Sequence, residues 1–139
     1  MNKKWRGYGI ICAISLAPSV QASSFSIGCE FLLLREVHET LLFCGEHIDE
    51  PNERRYQKLV GDLSSFIDAN EKMNQHPAFT KSVDEIRDHL VREGQDRVCK
   101  SSDVALWRKT FLRAVSDAGM EEVGKLLSRP RDPFEGDCF

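Results

Sequence analysis

Residues 29–44 read "CEFLLLREVHETLLFC", an apolar run with a cysteine at each end. Phe31, Leu34, Val37, Leu41 and Leu42 recur at helical spacing, and Arg35, Glu36 and Glu39 fall on the opposite side. Gly45 supplies a natural stop. A helix across this stretch holds Cys29 and Cys44 roughly 22 Å apart at 1.5 Å per residue. A disulfide needs Cα atoms within about 7 Å, so these two cysteines cannot pair with each other. Each must be met by a cysteine from elsewhere in the chain, and that requirement organises the fold.

The downstream sequence repeats the helical pattern. Residues 49–70, "DEPNERRYQKLVGDLSSFIDAN", open with acidic residues and Pro51, which suit a helix's first turn. Tyr56, Leu59, Val60, Leu63, Phe66 and Ile67 then recur at three and four residues. Pro77 ends this second helix by about Met73. A third is predicted through Phe79, Val83, Ile86 and Leu90, stopping at Gly94. The loop "GQDRVCKSS" carries Cys99, and Ser102 caps a fourth helix that buries Val104, Trp107, Phe111 and Val115. Gly119 is read as its end, with "MEEVGKLL" a separate short turn or helix, or an extension weakened by about 1 kcal/mol for its glycine. No sustained apolar/polar alternation marks a strand. The expected fold is all-α: one small antiparallel bundle of four helices, five with the short C-terminal one.

Residues 1–22 have the layout of a secretory signal peptide: Lys3, Lys4 and Arg6, an apolar run from Ile10 to Ala17, and small residues at Val20 and Ala22. The run falls short of the roughly 20 apolar residues of a membrane span. Cleavage after Ala22 removes three basic residues and no acidic one. Residues 23–139 are left with 16 basic against 22 acidic residues, a net of −6 with histidines neutral. Nucleic acid calls for clustered positive charge and is excluded as a partner on this reading. Cys29 follows Gly28 and is the position to weigh for lipidation, but the polar "QASS" separates it from the apolar run.

Export makes the four remaining cysteines a disulfide framework rather than a metal or redox set, and no CxxC spacing argues otherwise. Short connections make consecutive helices antiparallel. Cys44 and Cys99 then share one end of the bundle, and Cys29 and Cys138 the other. The domain spans residues 23–128, and the Pro-rich tail, 129–139, is pinned by Cys138. Pro130 and Pro133 stiffen that tail, Phe134 can pack along the bundle, and Arg129, Arg131 and Phe134 are the candidate partner-binding residues it offers.

Chemistry-bearing patterns are sparse. Glu85 and His89 stand four apart on one helix face, where a carboxylate can orient an imidazole. His76 is a distant third candidate, and a small hydrolase or metal-dependent enzyme built on these residues is the alternative reading. His38 and His47 flank Cys44 but do not share a helix face. There is no HExxH, GxSxG or phosphate loop, so no catalytic, cofactor-binding or metal-ligating residue is assigned. Phe66, Phe79, Trp107 and Phe111 would line the cavity of a small-ligand or lipid carrier. The leading expectation is an exported, periplasmic or extracellular, non-enzymatic module that binds another protein, itself possessing a basic surface. Small exported helical immunity proteins and enzyme inhibitors are similar in size and layout, although the GYxxG-type motif of one such group is missing.

Overall fold

A computed structural model of the chain describes residues 26–70 and 82–135. Six helices account for most of them: α1 (Ile27–Phe43), α2 (Glu50–Asn70), α3 (Val83–Glu93), α4 (Gln95–Val98), α5 (Ser101–Ala114) and α6 (Asp117–Leu127). The described residues contain no strand. Among them, no helix is long and apolar enough to cross a membrane. The signal segment, His76, Phe79 and Cys138 lie outside the described residues.

Helix α1 is the axis of the molecule, packed against α2, α3 and α5. Ser26 caps it by accepting the Cys29 N–H. At the other end the Gly45 N–H donates to the Leu42 carbonyl and the Glu46 N–H to the Leu41 carbonyl. This is a Schellman ending, and it needs Gly45 at φ +76°, a conformation that costs glycine nothing. Ile27, Phe31, Leu34, Val37 and Leu41 carry the core stripe of α1. Leu42 instead lies 42% exposed, whereas Glu39, expected to face solvent, is 4% exposed.

Residue pairings give the directions of the helices. His38, late in α1, meets Glu53 in the first turns of α2, so those two run antiparallel. Arg87 meets Glu39, and Gln95 reaches the Phe43 carbonyl, so α3 runs alongside α1 in the same sense. Helix α5 starts beside the Cys44–Cys99 disulfide, whose Cα atoms are 5.4 Å apart, and brings Phe111 back to His38. That disulfide is the one with both ends among the described residues. Its cysteines are the C-caps of α1 and α4.

Three details depart from the predicted four-helix scheme. Cys99 ends a short helix, α4, rather than lying in a loop. Helix α5 begins at Ser101 behind Lys100, which contributes no side-chain cap, so Ser102 is inside the helix. The predicted fourth helix breaks at Val115–Ser116, and Gly119 is not its stop. Ser116 caps α6 through the Gly119 N–H. A Cβ at Gly119 would sit 2.3 Å from the Arg113 carbonyl oxygen, so this glycine lets α6 start against the end of α5. Arg55 of α2 secures the joint, donating to the Val115 carbonyl at 3.0 Å and pairing with Asp117 at 2.9 Å. Helix α3, by contrast, starts where a capping box forms between Ser82 and Glu85.

Helix α6 leads to the other end of α1. The Gly28 N–H donates to the Pro133 carbonyl at 2.9 Å, Pro133 is fully buried, and Phe134 packs against the core. Nearby, burial raises the Glu30 carboxyl above its ordinary range, and the charge of Glu122 on α6 adds to the effect. A raised carboxyl means that the folded state holds its proton more readily than the unfolded chain, so ionisation at neutral pH is a cost. Glu30→Gln is therefore expected to raise the melting temperature at pH 7. The advantage should shrink as the pH falls through the raised value towards the ordinary carboxylate range, which thermal scans across pH will read.

Candidate functional site

Two features compete for a functional role, a buried polar knot and an open groove, and both are built on α1. In the knot, His38 is 4% exposed and its ring stacks on Tyr56 at a centroid distance of 3.8 Å. Its Nδ1 lies 3.2 Å from Glu39 Oε1 and its Nε2 2.7 Å from Glu53 Oε2. An ionised carboxylate only accepts, so both contacts are hydrogen bonds together when both ring nitrogens carry protons. The Arg87 Nε–H donates to the second Glu39 oxygen at 2.7 Å. Burial tends to raise the Glu53 carboxyl, but hydrogen bonds from Gln57 and His38 and the attraction of His38 together hold it below the usual value. Burial pushes the Tyr56 phenol up, and the Glu39 charge reinforces it.

His38, Glu39, Glu53 and Arg87 are all paired within this knot, and among the described residues no buried side-chain N or O lacks a partner. A closed, satisfied network of this kind fixes how helices meet. It joins α1 to α2 through His38 and to α3 through Glu39. Glu53 and Arg87 reach solvent at its edges, while His38 and Glu39 stay buried between the helices they join.

The groove lies on the other side of the Glu39–Arg87 tie. Helices α3 and α5 both pack on α1, and the space between them stays open as a groove of about 250 Å³. Leu33 and Val37 of α1, Ile86 and Leu90 of α3 and Trp107 of α5 give it an apolar lining. Glu36, His89, Glu93, Arg97 and Asp103 make its rim. Ile86 and Leu90 are buried, yet they stand outside the main core cluster formed by α1, α2 and α5. Helix α3 is thus a flap with its own small apolar contact, and the groove is the seam between flap and core.

The structure distributes the predicted candidates widely. Glu85 is the N3 residue of the capping box, its carboxylate accepting the Ser82 N–H at 2.6 Å, while His89 lies one turn on, at the groove. No group of three His, Cys, Asp or Glu side chains among the described residues could hold a metal ion. Trp107, expected in the core, is half-buried at the groove, whereas Phe111 is 1% exposed inside the core and Phe66 packs against that core from α2. These aromatic residues do not line one cavity. In the tail, Arg129 is exposed and Arg131 and Phe134 are half-buried, at the end of α1 where Gly28 meets Pro133.

Sequence reading missed the knot and the groove. Glu39 is three residues from Glu36 on the same side of α1, and only the arrival of Arg87 from α3 makes its burial possible. The signal for the groove was Trp107 itself, whose indole needs a polar outlet that a closed core denies it. Comparison with family models, with curated proteins and with solved structures finds no match for this chain.

Proposed function

We propose that this chain works outside the cytoplasm as a disulfide-stabilised helical module that binds another protein, in the manner of an inhibitor or immunity protein, through the groove between α3 and α5. The observation that carries the reading is the seam itself: an apolar floor, open to solvent, with charged residues along its edges. Interfaces concentrate their energy in such apolar centres inside a polar rim, and tryptophan is prominent among the residues that dominate them. The knot beneath it fixes α1 against α2, so the floor of the groove is presented on a rigid base.

Two staples belong to this reading. Cys44–Cys99 closes one end of the bundle. The pairing of Cys29 with Cys138 closes the other, and it is supported by the Gly28–Pro133 hydrogen bond, by the burial of Pro133 and by the Cys29 sulfur, which is held in a disulfide. Export would supply the oxidising surroundings that such bridges need.

The test is site-specific photo-crosslinking in the cells that make the protein. With p-benzoylphenylalanine in place of Trp107, irradiation is expected to give one discrete adduct with a second protein. The same probe in place of Lys58, exposed on α2, should give none. Adducts of equal yield at both positions, or none at either, would overturn the assignment.

A further inference from the structure

We infer that His38 is a proton-operated clasp on α3: with both ring nitrogens protonated it holds Glu39 where Arg87 can bind it, and loss of one proton as the pH rises loosens that helix. Two carboxylates flank the one ring, with Glu53 Oε2 at 2.7 Å from Nε2 and Glu39 Oε1 at 3.2 Å from Nδ1. A carboxylate only accepts, and a neutral imidazole has one N–H and one lone pair. The ring therefore satisfies both neighbours only in its doubly protonated form.

The charged and titratable groups around the ring come from three helices. On α1 they are Glu39 and, one turn earlier, Arg35, whose guanidinium lies over the Phe31 ring at 5.0 Å from its centroid. Helix α2 supplies Glu53 and the phenol of Tyr56, whose ring stacks on the imidazole. Arg87 of α3 reaches it through Glu39, and α5 brings only Phe111, which carries no charge. The groups at hydrogen-bond distance from the ring nitrogens are both carboxylates.

Removing one proton breaks the longer arm first. The shorter contact, to Glu53, keeps its N–H, and the lone pair of Nδ1 then faces Glu39 Oε1. His38 and Glu39 are each 4% exposed, so bulk water does not separate the two acceptors, and Glu39 either turns away or takes up a proton itself. In the first case its second oxygen leaves the Arg87 Nε–H, now 2.7 Å away. In the second it meets Arg87 as a neutral group, through a weaker bond. Both outcomes act on α3, because Glu39–Arg87 ties it to α1 and because Ile86 and Leu90 stand outside the main core cluster. The seating of α3 is thus present while the ring holds both protons and is lost as the pH rises. Resting on the binding role proposed above, the same proton would govern one wall of the groove.

The experiment follows hydrogen exchange by mass spectrometry in the oxidised protein from an exporting host, from about pH 6 to about pH 9. Rates are corrected for the intrinsic pH dependence of exchange, and nitrogen NMR reads the rings of His38 and His89 in parallel. Protection of residues 83–93 should fall roughly tenfold across the range, the scale of one buried hydrogen bond unmade, while residues 56–67 of α2 keep theirs. The fall should coincide with loss of the proton from His38 Nδ1. Glu39→Gln, whose amide can face Nδ1 as donor or acceptor, should leave α3 loosened at every pH and remove the dependence. A flat α3 profile in the wild-type protein overturns the inference, as does an unprotonated His38 Nδ1 at the acid end. So does a fall that follows His89, a fall shared equally by α2, or a Glu39→Gln protein that keeps the wild-type profile. If α3 responds while the Trp107 probe gives no adduct, the binding role fails and the clasp stands; an adduct with a flat profile gives the reverse.

Discussion

Cys44→Ala with Cys99→Ala is expected to lower the folding stability of the oxidised protein by roughly 4 kcal/mol, as a chain-entropy treatment gives for a closed loop of this size. The bridge spans a sequence separation of 55 residues, so its absence frees a large part of the unfolded ensemble while leaving the core residues in place. A domain of this kind is stable by only about 5–15 kcal/mol. The variant's melting temperature should fall on the order of 15 °C. Replacing both cysteines avoids a lone thiol that could exchange with Cys29. Urea unfolding of wild-type and variant protein gives the comparison, and a loss below about 1 kcal/mol would show that the loop is already restricted in the unfolded chain. On the binding role proposed above, the variant should also bind less well at the groove, because Cys99 anchors the turn between the α3–α4 wall and the α5 wall.

Glu39→Ala is expected to cost about 3 kcal/mol, the consequence of opening a buried network by removing one partner. Glu39 is 4% exposed, and its two oxygens serve His38 and Arg87. Truncation leaves a small cavity and an imidazole nitrogen without its partner. Glu39→Gln keeps the shape and one acceptor oxygen, so it should cost about half as much. Chemical denaturation of both variants at pH 7 separates the charge from the volume. The more specific sign is at a distance: both variants should loosen α3, which packs on α1 through Ile86, Leu90 and the Glu39–Arg87 pair. A Glu39→Ala protein of unchanged stability would show that α3 does not depend on this tie.

Much of the architecture was legible because it rests on periodicity. The stripe from Phe31 to Leu41, the repeat from Tyr56 to Ile67 and the glycine stops at Gly45 and Gly94 each follow from local rules, and the length of α1 alone forbids a Cys29–Cys44 bridge. The Cys44–Cys99 bridge followed from counting helix directions. What failed depended on contacts between distant residues. Gly119 looks like a helix end in the sequence, and only the approach of its backbone to the Arg113 carbonyl shows that it begins one. Glu39 looks like a solvated face until Arg87 and His38 surround it. The aromatic positions of α5 were read as one stripe, although Phe111 turns into the core and Trp107 faces the seam, a difference set by where α3 stops short of α5.

The separation of Ile86 and Leu90 from the main core has a consequence for how the protein can adapt. Regions held by few buried contacts open with free energies well below that of global unfolding. Helix α3 is such a region, bounded by the capping box at Ser82 and by the positive-φ hinge at Gly94. Its loosening would leave the core cluster of α1, α2 and α5 in place. On the binding role proposed above, a partner too bulky for the resting groove would work against the small local term that seats α3, rather than against the stability of the whole domain. On the same reading, α1 would set the register of a contact along the seam and the seating of α3 its width.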